Sequence, residues 1–418
     1  MQKLIIKGKK KLSGSINISG SKNATLPILA STLLSDKPIV LKNVPFVQDI
    51  YTMINLLKYI GLNVKINKKS NILKISNNKK LKTVAPYNLL KTMRAGVLVL
   101  GPLLAKYKKA KVSLPGGCAI GVRPVNLHLF ALEKLGAKIK IKNGYIHASA
   151  KHGLKGAVIK FPSISVGATE NAILAALSAS GKTIISNCAI EPEIQDMIIF
   201  LKKMGCGINF ISKRKIQIIG VKKFKHVSHE IIFDRIELGT YLIGAAIAGK
   251  KVIFSKVKPK ILKTEIKILK KMGVKMKIEK DKITVFESGK LRSINIKTEP
   301  YPGFPTDLQA QIMVLMLKAS GKSRITENIF ENRFMHIPEL RRMGAKIITK
   351  NNVALIFGPT NLSGAEVMAT DLRASVSLVL AALVAENRTI INRVYHLDRG
   401  YENLEKKLKK CKAIISRV

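Results

Sequence analysis

Cysteine, aromatic residues and acidic residues are all scarce in this chain of 418 residues. Tryptophan is absent, aromatic residues make up 5% of the chain, and 25 acidic residues stand against 74 basic ones. The hydrophobic fraction of 47% excludes a disordered chain, and the length allows two or three domains. The core must therefore be built almost entirely from aliphatic side chains.

The four cysteines show neither a CxxC pair nor the spacing of a disulfide framework. This pattern favours a reducing, cytoplasmic compartment. His226 and His229 form an HxxH, but no further histidine or cysteine lies nearby to complete a set of metal ligands. We therefore interpret both histidines as surface residues on a basic turn, and we expect no metal site.

Long hydrophobic runs are also lacking. The longest, AGVLVLGPLLA and SLVLAALVA, fall well short of the ~20 residues that a helix needs to span a bilayer. The first residues, MQKLIIKGKKKLSG, have too short an apolar stretch for a signal peptide. We therefore expect a cytoplasmic protein without membrane insertion.

Positive charge is what the chain has in excess. The net charge of +49 comes from 60 Lys and 14 Arg, and the lysines are scattered over every segment. Nucleic-acid-binding proteins favour arginine and interleave aromatic residues with the charge. We therefore interpret the lysines as compositional drift and expect no nucleic-acid partner. The charge would still attract small anionic ligands.

An internal repeat of about 70 residues runs through the chain. Five segments, such as KLGAKIKI and KMGVKMKI, combine the end of an amphipathic helix, a glycine suited to a left-handed C-cap and an alternating strand. The glycines are Gly61, Gly136, Gly205, Gly273 and Gly344. A sixth copy is expected in KLKKCKAIIS, where Cys411 would hold the glycine position and strain or alter the cap.

A second pattern alternates with the first. Six segments rich in small and apolar residues, such as VGATENAILAALSASGKTIISN, predict a helix, a polar turn and a strand. Helices of this composition are buried on most sides. The sequence thus predicts an α/β protein of six helix–strand–helix–strand units, arranged as two domains of three units each, with the sheets outside and the apolar helices within.

Polar residues recur at the starts of the six apolar helices. They are Lys22 and Asn23; Arg94; Ser165 and Gly167; Asp234, Arg235 and Glu237; Asp307; and Asp371 and Arg373. N-capping accounts for the serine, aspartate and asparagine side chains. It does not account for Lys22, Arg94 and Arg373, because a cation at a helix N-terminus opposes the helix dipole. If the helices run parallel, their N-termini converge, and we predict an anion-binding cleft there.

Several motifs identify a family. In chain order they are ISGSKNATLPILA, MRAG, LPGGCAIGVRPVNLH, SVGATENA, EPEIQD, DRIELGTY, PYPGFPTDLQAQ, ENRFMHIPELRRMGA, DLRAS and YHLDRGYENLEKKL. In these motifs, over its full length, the chain resembles the UDP-N-acetylglucosamine 1-carboxyvinyltransferases, a branch of the EPSP synthase family. The resemblance implies two inside-out α/β domains of three repeats each, with the active site in the cleft between them. It implies an N-terminal domain of residues 22–230, with the Cys118 loop, and a C-terminal domain of residues 1–21 and 231–418.

The resemblance also implies a reaction. Members of this family transfer the enolpyruvyl group of phosphoenolpyruvate to the 3-hydroxyl of UDP-N-acetylglucosamine. The transfer is an addition–elimination through a tetrahedral intermediate that releases phosphate and commits the sugar to peptidoglycan synthesis. No metal or organic cofactor is implied. The chemistry needs a base for the hydroxyl, a proton donor and acceptor for the methylene carbon, and cations for the phosphate and the carboxylate.

Five residues match the family's catalytic positions. Asp307 matches the carboxylate near the sugar hydroxyl and is a candidate general base. Lys22, Arg123 and Arg399 match the cations that bind phosphoenolpyruvate. Cys118, in a loop loosened by glycines, matches the cysteine that protonates the methylene carbon and is alkylated by fosfomycin. That loop would close over the cleft once the UDP-sugar is bound.

The full set of substrate contacts implied by the resemblance is larger and belongs mostly to the UDP-sugar. It comprises Lys22, Asn23, Arg94, Arg123, Pro124, Val125, Asn126, Leu127, Ser163, Ile164, Ser165, Val166, Asp307, Ile329 and Arg373. One position departs from the family pattern. The motif usually reads RPVD, and Asn126 keeps a carbonyl acceptor there but loses the charge, so affinity for the uridine part would shift.

Three other interpretations stay open. EPSP synthase shares the fold and the donor but lacks the cysteine loop, so the presence of Cys118 disfavours it. A basic nucleic-acid-binding protein could reuse the fold, although arginine and aromatic residues are not concentrated for that purpose. An inactive relative could have kept the fold after losing activity. The oligomeric state is left open by the sequence.

Overall fold

The described residues include six helices that are buried along most of their length. The computed structural model describes residues 2–77, 80–116 and 125–418, and these form two compact units. The first unit contains residues 20–77, 80–116 and 125–232, and the second contains residues 2–19 and 233–418. Each unit holds three of the buried helices.

The helices alternate between buried and amphipathic ones. In chain order they are α1 (Lys22–Ser31), α2 (Gln48–Ile60), α3 (Tyr87–Leu90), α4 (Leu100–Tyr107), α5 (Asn126–Lys134), α6 (Val166–Ala176), α7 (Pro192–Lys203), α8 (Arg235–Ala248), α9 (Lys263–Lys271), α10 (Gln309–Met316), α11 (Ile337–Arg342), α12 (Ala374–Ala382), α13 (Tyr395–Asp398) and α14 (Leu404–Lys410). Short 3₁₀ helices lie at Thr32–Leu34, Arg94–Val99, Pro259–Leu262 and Thr306–Leu308.

Composition decides which helices are interior. All 14 residues of α8 and all 9 residues of α12 are buried, because small and apolar side chains surround both helices. Helices α4 and α6 pack together in the first unit, and α10 packs against α8 and α12 in the second. By contrast, α9 buries Glu265, Ile266 and Leu269 on one face and exposes its lysines.

The strands are short. In chain order they are β1 (Leu4–Lys7), β2 (Leu12–Ser15), β3 (Ile39–Lys42), β4 (Asn63–Asn67), β5 (Ile72–Ser76), β6 (Val84–Ala85), β7 (Lys109–Ser113), β8 (Lys138–Lys142), β9 (Tyr145–Ser149), β10 (Val158–Lys160), β11 (Lys182–Ser186), β12 (Gly207–Ser212), β13 (Lys215–Ile219), β14 (Val227–Glu230), β15 (Gly249–Ser255), β16 (Met276–Ile278), β17 (Lys282–Phe286), β18 (Leu291–Arg292), β19 (Asn295–Lys297), β20 (Ala319–Thr326), β21 (Ile347–Lys350), β22 (Val353–Gly358), β23 (Glu366–Met368), β24 (Arg388–Asn392) and β25 (Ile414–Arg417).

In the described parts of the chain the strands form six small sheets, three in each unit. Their strand orders are β14-β3-β5-β4, β6-β7-β9-β8 and β10-β11-β13-β12 in the first unit, and β16-β17-β15-β2, β18-β20-β22-β21 with β19 also on β20, and β23-β24-β1-β25 in the second. Each sheet joins a short parallel strand to antiparallel partners, as in β14 with β3 and β5. The predicted α/β class and the three repeats in each domain are confirmed.

The predicted helix–strand–helix–strand unit was too simple. In five repeats the amphipathic helix is followed by a hairpin of two strands, of which the sequence predicted only the first. The hairpins β4–β5 and β8–β9 are examples. Each sheet also contains a short parallel edge strand that the sequence did not predict. In the sixth sheet the chain's own start supplies the missing partner, because β1 pairs antiparallel with both β24 and β25.

The predicted position of the sixth helix cap was wrong by one residue. Cys411 has an ordinary φ of −93°, and the left-handed conformation belongs to Lys412, whose φ is +69°. The amide of Ala413 closes the cap on the carbonyl of Leu408, as Val274 does on Leu269 after Gly273. Lys412 therefore occupies the glycine position of this repeat, with a side chain that disfavours the conformation.

His229 was also wrongly predicted to lie on the surface. It is buried, its Nε2 lies 3.1 Å from Oδ1 of Asp196, and its ring meets Phe200 edge-on. The other Asp196 oxygen accepts the amide of Ile232 at 3.2 Å. The partner Asp196 lies 33 residues away, so the polar sequence around His229 gave no sign of its burial. Within the described ranges no helix is long and apolar enough to cross a bilayer.

Candidate active site

Asp307 lies at the centre of a charged cluster in the second unit. It is the middle residue of the 3₁₀ turn Thr306–Leu308 that leads into α10. Its Oδ1 accepts a 2.8 Å hydrogen bond from Nη2 of Arg333, and Nε of Arg373 lies 3.4 Å from Oδ2. The Asp307 side chain is 28% exposed, whereas those of Arg333 and Arg373 are 4% and 3% exposed. A partly exposed carboxylate is thus paired with two buried cations.

Arg373 is held in its charged form. Burial acts to lower the pKa of Arg373, but Tyr401 and Asp307 outweigh burial and raise it above the ordinary value. Its guanidinium carbon lies 5.4 Å from the centre of the Tyr401 ring. The guanidinium nitrogens are buried and lie close to Asp307 and Tyr401, but they form no well-aligned hydrogen bond to a described residue. Donors buried in this way favour the binding of an anion, which would satisfy them.

Tyr401 links the cluster to the interior helices. Its hydroxyl lies 3.0 Å from Oγ1 of Thr240, and Nε2 of Gln311 donates to that Oγ1 at 3.1 Å. The same Gln311 nitrogen donates to the backbone carbonyl of Asp307 at 2.9 Å. Burial raises the pKa of Tyr401, with Arg373 opposing, so the phenol stays protonated. These bonds fix the Asp307 turn against α8 and α10.

Carboxylates cap two of the buried helices. Oδ1 of Asp234 accepts the amides of Ile236 and Glu237 at 2.8 and 3.0 Å at the start of α8. Oδ1 of Asp371 accepts the amides of Arg373 and Ala374 at 2.7 and 2.9 Å before α12. The N-capping that the sequence suggested for these aspartates is what the geometry shows.

His336 is an uncharged member of the same cluster. It is completely buried, and burial lowers its pKa to about 4, although Asp371 opposes the shift. Its interactions with Arg333 and Asp371 were not indicated by the sequence. A neutral imidazole here adds no charge to the two arginines.

The other predicted residues of the second unit occupy loops. Arg399 is half-buried, directly after α13, and together with burial it lowers the pKa of His396. Ile329 is half-buried and follows β20. Its amide donates to the buried carboxylate of Glu327 at 2.9 Å, and Thr306 Oγ1 donates to the same carboxylate at 3.0 Å. The structure thus connects Ile329 to the Asp307 turn through one side chain.

Lys22, a predicted residue of the first unit, forms a buried ion pair. It is the first residue of α1, whose N-cap is Ser21. Its Nζ lies 3.1 Å from Oδ2 of Asp49, and these side chains are 6% and 7% exposed. Asp49 sits in the first turn of α2, where the helix dipole favours a carboxylate. Asn23, the next residue in α1, is half-buried.

Two predicted UDP-sugar stretches lie at helix N-termini. Val125 is buried before α5, while Asn126 is exposed and Leu127 half-buried in its first turn. Ser165 caps α6 by accepting the amide of Ala168 at 3.3 Å. Around this cap, Ser163 and Val166 are exposed and Ile164 is half-buried. Both stretches therefore offer helix-start amides, which suit a diphosphate.

His128 joins these stretches to Arg94. The ring packs so closely on the start of α6 that a Cβ at Gly167 would come within 3.1 Å of it. Asn171 lies 3.1 Å from its Nδ1 and also accepts the amide of Gly101 at 2.8 Å. Burial and the charge of Arg94 lower the pKa of His128 to about 3, so the imidazole is neutral. Arg94 itself is half-buried at the start of the 3₁₀ helix before α4.

Three predicted residues lie outside the described part of the chain, namely Cys118, Arg123 and Pro124. The described cysteines, Cys188, Cys206 and Cys411, are free and buried. Burial raises the pKa of Cys206 to about 12 and that of the other two to about 11. None of these three thiols is suited to act as a nucleophile at neutral pH.

Sequence reasoning missed several polar residues that the structure places around the predicted ones. Asp49, Arg333 and Glu327 each contact a predicted residue or its neighbour in the chain. Arg333 stands in the quoted motif ENRFMHIPELRRMGA, which was the available signal. Asp49 and Glu327 lie outside the quoted motifs, and only the folded chain reveals their partners.

Comparison with known proteins gives one consistent result. The family model "EPSP synthase (3-phosphoshikimate 1-carboxyvinyltransferase)" matches residues 6–408. A UDP-N-acetylglucosamine 1-carboxyvinyltransferase of Pelagibacter ubique is 60% identical over 418 residues, with all of both chains covered. The enzyme of that name from Endomicrobium trichonymphae is 52% identical over 415 residues, with 99% of each chain covered.

Solved structures agree in fold. The enolpyruvyl transferase NikO from Streptomyces tendae has a TM-score of 0.89 at 23% identity, covering 100% of this chain and 99% of that one. The EPSP synthase of Acinetobacter baumannii has a TM-score of 0.77 at 17% identity, with the same coverage. At these identities the two structures speak for the fold alone.

Proposed function

The chain belongs to the EPSP synthase family and, within it, to the UDP-N-acetylglucosamine 1-carboxyvinyltransferases, and from this premise we propose that it transfers the enolpyruvyl group of phosphoenolpyruvate to the 3-hydroxyl of UDP-N-acetylglucosamine. The product would enter peptidoglycan synthesis. Both substrates are phosphorylated anions that do not cross membranes unaided, so the reaction belongs in the cytoplasm.

One observation carries the choice of acceptor. The family model covers both this branch and EPSP synthase, but the relatives at 60% and 52% identity over nearly the whole chain carry the UDP-sugar name. The cysteine loop, which the shikimate enzymes lack, supports the same choice. The geometry around Asp307 supports activity, because an inactive chain has no need to keep an accessible carboxylate on two buried arginines.

In the addition step, Asp307 would take the proton of the sugar 3-hydroxyl while its oxygen bonds to C2 of phosphoenolpyruvate. Arg333 and Arg373 hold the carboxylate in place and compensate its charge. Cys118 would give a proton to the methylene carbon, C3. The product of this step is a tetrahedral intermediate in which C2 carries both the sugar oxygen and the phosphate.

In the elimination step, the bond from C2 to the phosphate oxygen breaks and C3 would return a proton to the Cys118 thiolate left by the addition step, which restores the double bond. The proton held by Asp307 would pass to the departing phosphate. Phosphate leaves, and the sugar keeps the enolpyruvyl ether. Lys22, Arg123 and Arg399 would bind the phosphate and carboxylate of the donor. Lys22 is suited to this because Asp49 fixes its position in a buried pair. The two steps need only proton transfers and the bond changes at C2, and no oxidant or reductant takes part.

The UDP-sugar would bind largely through the first unit. Helix-start amides at α5 and α6, together with Arg94, present donors for the diphosphate. Asn23 and the Asn126–Leu127 stretch add polar and apolar contacts. Ile329 and Arg373 of the second unit complete the proposed set.

The test is phosphate release from phosphoenolpyruvate, with and without UDP-N-acetylglucosamine, repeated after treatment with fosfomycin. Release that needs the UDP-sugar and stops after fosfomycin supports the transferase and places Cys118 in its site. Release with shikimate 3-phosphate alone would assign the chain to the other branch. A folded protein that releases phosphate with neither acceptor would overturn the proposal.

A further inference from the structure

Glu327 is a buried carboxylate that no predicted role includes. It follows β20 directly, and it is 3% exposed. Four groups donate hydrogen bonds to its two oxygens, and all four are neutral: two threonine hydroxyls and two backbone amides. Because a carboxylate accepts hydrogen bonds more strongly than a neutral oxygen, this side chain fixes its donors firmly.

The two oxygens of Glu327 serve different segments. Oε2 accepts the hydroxyl of Thr306 at 3.0 Å, and Thr306 immediately precedes Asp307. Oε1 accepts the amides of Ile329 and Phe330 at 2.9 and 3.2 Å and the hydroxyl of Thr298 at 2.9 Å. One oxygen therefore holds the Asp307 turn, and the other holds the Ile329 loop.

Thr298 strengthens the connection between Glu327 and the Ile329 loop. Its hydroxyl donates to Oε1 of Glu327 and accepts the amide of Asn328 at 2.9 Å. Three consecutive backbone amides, those of residues 328–330, are thereby fixed by two side chains. On the Asp307 side, by contrast, Glu327 acts through the single bond from Thr306, while Gln311 holds the Asp307 carbonyl and the two arginines hold its carboxylate.

We propose that Glu327 is a positioning residue for enolpyruvyl transfer, because its carboxylate sets the Asp307 turn and the Ile329 loop at a fixed separation around one acceptor sugar. The inference rests on the proposed function, in which both Asp307 and Ile329 contact the UDP-sugar. Glu327 acts through Thr306 and through the loop amides. Because Oε2 holds the Asp307 turn and Oε1 holds the Ile329 loop, its effect on catalysis can be measured separately from its effect on substrate binding.

Two single-arm variants, each of which weakens one of these two connections of Glu327, test this division. In Thr306→Val the turn loses its anchor, and kcat should fall about ten-fold, since a base displaced by a fraction of an ångström loses its alignment, while KM for the UDP-sugar stays within about two-fold. In Thr298→Val the loop loosens, and KM for the UDP-sugar should rise several-fold with kcat nearly constant. Thr360→Val is the matched control, because its buried hydroxyl bonds the carbonyl of Phe357, away from these segments.

Variants of Glu327 itself complete the test. Glu327→Ala should lower kcat and raise KM for the UDP-sugar together. Glu327→Gln should restore most of both, because its amide oxygen can accept the loop amides and its amide nitrogen can donate to the Thr306 hydroxyl. UDP-sugar affinity measured by calorimetry should follow KM in every variant.

Each parameter is compared with wild type assayed with UDP-N-acetylglucosamine, so an inactive wild type would contradict the proposed function and not the role of Glu327. If Glu327→Ala lowers only the thermal midpoint, with kcat and KM of the folded enzyme unchanged, Glu327 is structural and the inference is wrong. The inference is also wrong if Thr306→Val and Thr298→Val change the same parameter. Those single-arm variants keep the test decisive if Glu327→Ala fails to fold.

Discussion

The two units place their candidate residues in different surroundings. In the second unit Asp307 is anchored by two buried arginines, by Gln311 at its carbonyl and by Thr306 beside it. In the first unit the predicted UDP-sugar stretches at the starts of α5 and α6 are exposed or half-buried, apart from the buried Val125. Among the described charged candidates of the first unit, Lys22, paired with Asp49, matches the burial of the second unit's arginines, whereas Arg94 is half-buried.

The difference indicates a division of labour. A preorganised cluster of low dielectric constant strengthens interactions with charge that develops during a reaction. Such surroundings suit Asp307 as the proposed general base. Exposed helix starts recognise a diphosphate without needing a buried network, which suits substrate binding. We therefore expect changes in the second unit to affect kcat first, and changes at the helix starts of the first unit to affect affinity.

The largest effect is expected from Asp307→Asn. The amide oxygen can still accept the hydrogen bond of Arg333, but the side chain no longer takes a proton. We expect kcat to fall by about 10²–10⁴, with KM for both substrates within a few-fold, as measured by phosphate release. A loss that appears in KM alone would place Asp307 in binding and remove the contrast between the units.

The buried pair of the first unit gives the next largest effect. Lys22→Met leaves the Asp49 carboxylate buried without its cation, which should cost about 3–5 kcal/mol in the free energy of unfolding. The double variant Lys22→Met/Asp49→Leu should recover most of this stability but not the binding of phosphoenolpyruvate. Denaturant unfolding and a donor titration measure the two quantities. Recovery of donor binding in the double variant would show that Lys22 is purely structural.

The buried histidines predict how stability depends on pH. The pKa of His336 is lowered to about 4, so the unfolded chain binds a proton below its ordinary pKa of about 6.5 and the folded chain does not. The stability contributed by the neutral form is thus complete above about pH 6.5 and falls by about 1.4 kcal/mol per pH unit down to about pH 4.

The measurement is the free energy of unfolding of wild type minus that of His336→Leu between pH 7 and pH 4.5. This difference cancels groups with opposite behaviour, such as Glu237, whose pKa is raised by burial. His128 predicts the same sign for the first unit, with a lower limit near pH 3. A difference that stays constant over this interval would contradict the neutral, buried imidazole.

Lys412→Gly should stabilise the second unit modestly. Lys412 adopts a φ of +69° where the other repeats have glycine, and a left-handed conformation costs an L-residue about 1–2 kcal/mol. Part of this gain is offset by the freedom of glycine in the unfolded chain, so we expect about 1 kcal/mol by denaturant unfolding. Gly273→Lys, the reverse change at the equivalent cap, is the matched control and should destabilise.

The smallest effect is expected from Asn126→Asp in the first unit. Asn126 is exposed at the start of α5, where a carboxylate interacts favourably with the helix dipole by about 0.3–1 kcal/mol. UDP-sugar affinity should shift by a comparable amount, measured by titration against wild type. Equal affinities would show that the asparagine at this position does not matter for uridine binding.

The sequence predicted the parts of the fold that depend on local pattern. Six buried helices followed from runs of Ala, Ser, Leu and Val, and the repeat followed from glycines at nearly constant spacing. The second hairpin strands were missed because they lie in polar stretches rich in Lys and Asn, such as the one containing β4 and β5. The cap at Lys412 was missed because no glycine marked it.

The site was predictable only where a motif carried it. Asp307 and Arg373 were identified by their places at helix starts and in the family motifs, but their contact depends on the packing of α10 and α12. Asp49 and Glu327 are common residues in unremarkable surroundings, and their roles arise from partners 27 and 21 residues away. Burial of His229 and His336 likewise comes from tertiary contacts that no local pattern encodes.

The most direct test of the whole account is to identify the product made from ¹³C-labelled phosphoenolpyruvate and UDP-N-acetylglucosamine. The account predicts a UDP-sugar whose 3-oxygen carries the labelled enolpyruvyl carbon, visible by NMR and as the corresponding mass. An unchanged UDP-sugar, with the label transferred only when shikimate 3-phosphate is the acceptor, would contradict it.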